Sequence, residues 1–329
     1  MGKVPRVSTT LSKSDLLGSI GARTGFYRNN YKVTPGLYCT GAPDRNSPVL
    51  VTANYKLSFD ALRQELGSQH SWILVVDTRG INVWCAGGKG TFSAEEIAYQ
   101  VKKANLHEIV DHRNLILPQL CANGVALHKL KSLCGFRGTF GPVKASDLTQ
   151  FLQTGCASEE MRSVTFDIKE RAVLIPLEIC MLWKQFLLIT LFFFVFSGIS
   201  KDVFSLGLAL QRGTTLTLAT LLAVFSGAVL TPLFLPWIPA RSFWVKGSIT
   251  GGVVLLFYSM VKPATLSTID FVAIISLVVS CSSYLAMNFT GSTVYTSLSG
   301  VEKEMRKGLI FQVALAILFI VLWLISAFI

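Results

Sequence analysis

Five stretches after Lys184 are long and apolar enough to cross a bilayer, and nothing else in the chain constrains its fold as strongly. A membrane helix needs about 20 mostly apolar residues. The stretches are approximately Gln185–Ser200, Thr214–Leu235, Lys246–Val261, Ser267–Phe289 and Leu309–Ile329. No polar face recurs within them, as it would on helices lining a soluble core. Transporters and pumps carry intramembrane charge, whereas here no charged residue sits near the middle of a span, Asp270 lying at an end, so the spans read as an anchor. Gly251, Gly252 and scattered Ser and Thr are what helix packing in lipid uses. A polar stretch, Thr290 to Lys307, connects the last two spans and reads as a solvated connector or a contact surface.

The 329 residues are 51% hydrophobic and 15% charged, against about 25% charged in soluble domains. That average conceals two unlike parts. Residues 1–184 hold 22 of the 30 basic residues, 15 of the 19 acidic ones and all four histidines. The net charge of +11 is thus divided between a globular part and short loops. No basic stripe tracks a phosphate backbone, which argues against nucleic acid as a partner. With the first part inside, the inner loops carry Arg241, Lys303, Arg306 and Lys307, and the outer ones Lys201, Arg212 and Lys262. Met1 to Arg23 is basic without a signal-type apolar core. The expectation is a multi-pass protein of the cytoplasmic (inner) membrane, N-terminus in and C-terminus out.

Residues 1–48 read as a basic N-terminal extension and 49–184 as a cytoplasmic α/β domain, Rossmann-like and doubly wound; an all-α transmembrane domain of five helices occupies 185–329. Within the α/β part, Val49–Ala53, Trp72–Val76, Asn114–Leu117, Gly138–Phe140 and Ala172–Ile175 read as strands. Phe59–Leu66, Ser93–Ala104, Val125–Leu133 and Ser146–Leu152 read as helices, and Ser93 with Glu95 and Glu96 forms a helix start. Ligands of such sheets sit beyond the carboxyl ends of the strands. That points to four loops, Asn54–Ser58, Asp77–Thr91, Pro118–Gly124 and Gly141–Lys144.

Seven cysteines without a C-x-x-C pair disfavour zinc, iron–sulfur and disulfide frameworks alike. One of them stands in the loop DTRGINVWCAGGKGT, residues 77–91. A P-loop fails there because Gly90 follows Lys89 and Val83 replaces the leading glycine; a dinucleotide fingerprint fails because Ser93 replaces its third glycine. Residue chemistry leaves Cys85 open as a small buried hydrophobe, a thiolate nucleophile or a soft-metal ligand.

The string Asn82-Val83-Trp84-Cys85-Ala86-Gly87-Gly88-Lys89-Gly90-Thr91-Phe92 resembles the cap-helix motif of the corrinoid proteins of microbial mercury methylation. Pro118-Gln119-Leu120, Gly124-Val125-Ala126 and Phe140-Gly141-Pro142-Val143 continue the likeness and are similar to the large subunit of the corrinoid iron–sulfur protein of acetyl-CoA synthesis. Five spans after a corrinoid domain also match the mercury-methylating family. Gly87, where alanine is frequent in that family, is a mild departure.

The resemblance implies a cobalamin-type, base-off corrinoid whose cobalt is held on its lower face by the Cys85 thiolate. It implies a cofactor site of Asn82, Val83, Trp84, Cys85, Ala86, Gly87, Gly88, Lys89, Gly90 and Thr91, with Asn54, Pro118, Gln119, Gly124, Val125, Gly141 and Pro142. Trp84 then packs on the ring or in the core, and Lys89 pairs with a corrin side chain or is simply solvated. The related acetyl-CoA subunit has no such cysteine and carries an N-terminal cluster domain that this chain lacks. The D-x-H-x-x-G signature of histidine-ligated cobalamin proteins is absent, so His70, His107, His112 and His128 read as structural or solvated. The implied activity is a corrinoid-dependent methyltransferase acting on Hg(II). Transfer to Hg(II) needs methyl to leave with electron density, which a donating sulfur trans to it favours. Its implied partners are a ferredoxin-like protein with two 4Fe–4S clusters, a methyl-donating methyltransferase and membrane lipid. Two other readings stay open: a corrinoid methyl carrier for an acetyl-CoA-type acceptor, and a membrane-tethered thiol redox or metal sensor.

Overall fold

In a computed structural model, residues 4–201, 203–261, 266–293 and 298–329 are described. They divide into two compact units, Met1–Thr165 and Phe166–Ile329.

The first unit is built on a five-stranded sheet in the order β1-β3-β2-β4-β5. Its strands are β1 (Gly36–Thr40), β2 (Val49–Ala53), β3 (Ser71–Val76), β4 (Asn114–Leu117) and β5 (Arg137–Phe140). β2 pairs in parallel with β3 and β4, and β4 with β5; β1 lies antiparallel on the outer edge of β3. All five residues of β2 are buried, so β2 reads as a continuous apolar run rather than an alternating one, as a strand covered on both faces must. Alternation instead sorts side chains between two cores. Val49, Val51, Leu74, Val76, Leu115 and Leu117 pack on one face with α4 (Ala94–Lys103) and α6 (Leu127–Cys134). Leu50, Ile73 and Val75 pack on the other with Phe59 of α2 (Lys56–Glu65) and Leu148 and Phe151 of α7 (Leu148–Thr154). α3 (Val83–Gly88) comes after β3, and α5 (Leu106–Ile109) and α8 (Glu159–Arg162) are short.

Residues 4–48, expected as an extension, supply β1 and α1 (Lys13–Arg23). A capping box of Ser12 and Asp15 starts α1, satisfying two backbone donors that a helix start leaves open. Four ionic side chains bind it to α2: Lys56 reaches Asp15 at 2.5 Å and Asp60 at 2.6 Å, and Arg63 reaches Asp60 at 2.7 Å and Asp15 at 2.8 Å. Burial alone would raise the Asp15 pKa, but hydrogen bonds from Lys56, Ser12 and Arg63 hold it well below the usual carboxylate range.

The second unit is helical. After α9 (Ile168–Ala172) come five helices long and apolar enough to cross a membrane. They are α10 (Ile175–Ser197), α11 (Leu206–Val224) continued through a π-helical turn at Phe225–Leu230 into α12 (Thr231–Leu233), α13 (Phe243–Val261), α14 (Thr268–Asn288) and α15 (Leu298–Ile325). Leu216, Ala223, Ile274, Val278, Phe319 and Trp323 form their shared core. Gly227 and Gly247 both approach the Ser282 carbonyl, where an added Cβ would lie 2.6 and 2.5 Å from the oxygen, so small residues let these helices close on one another.

Five expectations fail here. Ala172–Ile175 is not a strand: Ala172 ends α9 and Ile175 begins α10, because Pro176 near the helix start and the long apolar run behind it favour a helix. The first apolar helix therefore begins about ten residues before Gln185. Arg212 lies not in a loop but inside α11, with Asp270 of α14 at 3.4 Å. In the connector, residues 294–297 lie outside the described residues, and from Leu298 onward the chain is already α15. Gly252, expected in helix packing, has no atom within 4 Å of where its Cβ would be.

Candidate functional site

β3 ends at Val76, and the chain turns through residues 77–81 before α3. That turn is held by one buried side chain. Asn54 Oδ1 accepts from Thr78 N (3.1 Å), Thr78 Oγ1 (2.9 Å) and Gly80 N (3.0 Å), while its Nδ2 donates to Asp77 (2.9 Å). Glu96 Oε1 accepts from Asp77 N at 3.0 Å. The Asn54 amide is therefore spent on the loop, and Asn54 acts by positioning the cap formed by α3.

The cap starts at Asn82, the N-cap of α3, whose Oδ1 accepts from Cys85 N at 2.8 Å, the bond that short polar side chains supply at helix starts. At the far end Thr91 N and Phe92 N both reach Ala86 O, at 3.0 and 3.1 Å. Gly90 there has φ +73° and open space at its Cβ position, a left-handed turn that glycine adopts without strain. Ala86 and Phe92 are fully buried and fasten the cap into the sheet core. Val83 and Gly87 are also buried, whereas Cys85, Gly88 and Lys89 are exposed. Spaced three and four apart, these three share one face. The nearest atom to a Cβ added at Gly88 is 3.9 Å away, so a flat, open strip adjoins the Cys85 thiol.

Beside the cap a cavity of about 330 Å³ opens at the carboxyl ends of β2, β4 and β5. It lies where the chain winds away in opposite directions from adjacent strands β2 and β4, the usual ligand crevice of open α/β sheets. All four expected loops contribute: Ser58, then Asn82, Val83 and Trp84, then Pro118 and Leu120, then Gly141, Pro142, Val143 and Lys144. The wall is mainly apolar, as pockets for organic cofactors are. The sequence reading missed Leu50, Thr52, Leu62, Ile116 and Leu148, also on the wall; strand ends and helix first turns are read as core before their open side is known.

Other expected residues stand elsewhere. Val125 is in the sheet core, and Thr91 and Gln119 are partly exposed outside the cavity wall. Gly124 supports the cap from beneath: a Cβ there would lie 2.5 Å from Gly87 O and 2.8 Å from Phe92 O. Gly87 is equally confined, with Asn123 Oδ1 2.7 Å from its Cβ position.

The remaining cysteines of the first unit are unlike Cys85. Burial pushes the Cys121 thiol up to about 12 and raises those of Cys39 and Cys134. Cys156 is exposed at the end of α7, away from the cavity wall. Among the described residues no group of three or more His, Cys, Asp or Glu is placed to hold a metal ion. None of the four histidines lines the cavity. His70 Nδ1 accepts from Ala42 N at 3.0 Å and His112 Nε2 meets Ser47 O at 2.9 Å; both serve loop structure.

Comparison with known proteins places the likeness on this unit. Residues 7–152 match the family described as CO dehydrogenase/acetyl-CoA synthase delta subunit. The corrinoid/iron-sulfur protein large subunit of Moorella thermoacetica is 34% identical over 157 residues, 46% of this chain and 35% of its own. Acetyl-CoA decarbonylase/synthase complex subunit gamma of Methanopyrus kandleri is 33% identical over 128 residues, 38% of this chain and 27% of its own. The chain thus spans about a quarter to a third of the length of these relatives. The matched residues include β1–β5, the cap and nearly all of the first unit, and none of the five apolar helices.

Proposed function

We propose that the first unit is a corrinoid-dependent methyltransferase domain in which Cys85 is the lower axial ligand of cobalt, and that Hg(II) is the methyl acceptor. The observation that carries this reading is the cap. Exposed Cys85, its backbone N held by Asn82 Oδ1, follows Asn82, Val83 and Trp84 of the apolar cavity wall without lining that wall itself, and side-chain-free Gly88 stands one turn on. A corrinoid fits such a site: the thiol offers the single soft ligand that a base-off cobalt needs, and the glycine strip leaves room for a broad, flat ring.

When bound, the corrinoid supplies a cobalt centre that accepts and releases a methyl group. The residues of this chain do the rest. Cys85 would hold the cobalt through its thiolate, and a strongly donating sulfur ligand would favour release of a methyl group with its electrons to a soft cation. Asn82 and Asn54 fix the cap so that the sulfur is presented in one orientation. Lys89, one turn beyond Cys85, faces the same side and is available to a corrin amide or carboxylate. Val83, Trp84, Pro118, Gly141 and Pro142 line the cavity and exclude water from an apolar part of the cofactor.

In this reading the five apolar helices span the cytoplasmic membrane and hold the domain at its inner face, with the C-terminus outside. Electrons come from a ferredoxin-like protein with two 4Fe–4S clusters and methyl from a separate methyltransferase.

The test is spectroscopic and enzymatic on the full chain purified without oxygen. A base-off corrinoid spectrum is expected. Cys85→Ala should abolish methylmercury formation and shift that spectrum, while Cys85→Thr should keep some corrinoid bound. Full methylation by either variant overturns the ligand role. The names of the relatives favour a second reading, a methyl carrier for an acetyl-CoA-type acceptor. It is chosen instead if corrinoid binds but methyl transfer to Hg(II) is absent from the unsubstituted protein.

A further inference from the structure

Among the described residues of the first unit, seven large hydrophobic side chains are exposed, and five of them fall within twelve residues: Leu16, Leu17, Ile20, Phe26 and Tyr27, between 52% and 78% exposed. The other two, Tyr99 and Val164, stand apart in sequence on α4 and after α8. Concentration of this kind marks an interaction surface, where scattered exposed hydrophobics would not.

The patch is built rather than frayed. On α1, Lys13, Leu16, Leu17, Ile20 and Arg23 recur at three- and four-residue spacing and are all exposed, while Gly21 and Ala22 are buried. The buried side is packed tightly: a Cβ at Gly18 would lie 2.4 Å from Tyr31 Oη and 2.5 Å from its ring, and one at Gly21 would meet one edge of the otherwise exposed Tyr27 ring at 2.3 Å. Tyr31 Oη donates to Asp15 O at 3.1 Å, and the Asp15, Lys56, Asp60 and Arg63 cluster holds the helix against α2. The outward face is thus fixed by inward contacts.

Its charge is one-sided. Asp15 is the only acid between residues 4 and 43, and its carboxylate is taken up by Lys56 and Arg63. Arg6, Lys13, Arg23, Arg28 and Lys32 occupy the same segment. An apolar helix face bordered by cations alone is complementary to an anionic lipid surface, with leucine and aromatic side chains at headgroup depth and cations against phosphates.

We propose that α1 and the turn at Phe26 and Tyr27 after it form an interfacial membrane-docking surface for anionic lipid. It rests on the reading that α10–α15 span a membrane, because those spans are what would keep a bilayer within reach.

The experiment uses the full chain reconstituted into vesicles of phosphatidylcholine alone or mixed equally with phosphatidylglycerol, with hydrogen exchange measured in each. Peptides covering residues 13–28 should exchange about tenfold more slowly in the anionic vesicles. Substituting Leu16→Ser, Leu17→Ser and Ile20→Ser together should remove that difference while exchange in β2–β4 stays unchanged, since all three side chains are already exposed. Equal exchange in the two vesicle types, or protection that survives the triple substitution, overturns the proposal; protection appearing only when a second protein is added assigns the face to a protein partner instead. Flotation with the vesicles after alkaline washing separates the premise from the inference: a chain that washes off fails the spanning reading, whereas one that floats with unprotected α1 fails only the docking surface.

Discussion

The backbone of Gly124 lies directly under that of Gly87: a Cβ added to Gly124 would stand 2.5 Å from the Gly87 carbonyl oxygen and 2.8 Å from its Cα. Neither atom belongs to a flexible side chain, so relief must come from moving the cap. Gly124→Ala is expected to cost about 2 kcal/mol, as overpacking does, and to displace α3 together with Cys85. The denaturation midpoint and the exchange of α3 amides measure this; a variant of unchanged stability with unchanged cap exchange would show that the two segments part freely.

Gly88 supplies the contrasting case. Its Cβ position touches nothing closer than Asn123 Nδ2 at 3.9 Å, and a helical glycine replaced by alanine gains up to about 1 kcal/mol. Gly88→Ala should therefore leave the apoprotein as stable or slightly more so, yet weaken corrinoid binding because its methyl group stands on the strip beside Cys85. Cofactor retained per chain after anaerobic gel filtration checks this. Undiminished retention would move the ring off that strip.

At the other end of the cap, Asn82 Oδ1 is the acceptor for Cys85 N. Asn82→Ala should lower stability by about 1 kcal/mol, and Asn82→Asp or Asn82→Ser should recover most of it. Corrinoid affinity should track the same order if the cap orients the thiol. Affinity indifferent to all three substitutions would separate capping from ligation.

Much of this was legible in the chain. β2 and β4 fall where short apolar runs between polar loops predicted them, and Ser93 caps α4 as its spacing with Glu95 and Glu96 required. The four loops around the cavity could be placed from the strand ends alone. β1 escaped because its five residues carry no long apolar run and its partner is the edge of β3, a pairing that exists only in the folded sheet. Ala172–Ile175 misled because four small or branched apolar residues fit a buried strand as well as a helix boundary. The connector misled in the opposite sense: Glu302 and Arg306 read as loop charges, whereas they pair at 3.0 Å across one turn of α15. The resemblance singled out Asn54 without its role, because nothing in the sequence shows that the side chain is turned to Thr78 and Gly80.

The Asp15 cluster predicts how α1 responds to pH. Asp15 has a lowered folded-state pKa, so it contributes stability that is present above its unfolded value near 4 and is lost as pH falls through its folded value. Lys56 is the opposite case. Burial alone would lower its pKa, but the hydrogen bonds it donates to Asp15 and Asp60 raise it, so its contribution is lost only as pH rises through that raised value. Between these limits, from about pH 5 to 9, attachment of α1 should be independent of pH. Asp15→Asn should loosen α1 throughout that range, with exchange in residues 13–23 rising while the sheet core stays protected. A strong pH dependence of that exchange, once corrected for chemical exchange rates, between pH 5 and 9 would mean that some other group secures the helix.

In the helical unit, Arg212 joins three helices through one guanidinium. Its Nη2 donates to Trp323 O and Ser326 Oγ, both at 2.6 Å, and lies 3.4 Å from Asp270 Oδ1, with its carbon 4.2 Å from the Trp323 ring centre. Ser326 Oγ also donates to Asp270 at 2.6 Å, so α11, α14 and α15 share the network. Removing Asp270 alone leaves a partly buried cation without its counter-ion, a change that costs about 3 kcal/mol where measured in protein interiors. Asp270→Asn should therefore lower the midpoint of thermal unfolding in detergent more than the double substitution Arg212→Leu with Asp270→Leu, which removes both charges and leaves apolar side chains in their place. A double variant at least as damaged as the sum of the two single ones would show that the two residues act separately, through Trp323 and Ser326 rather than through each other.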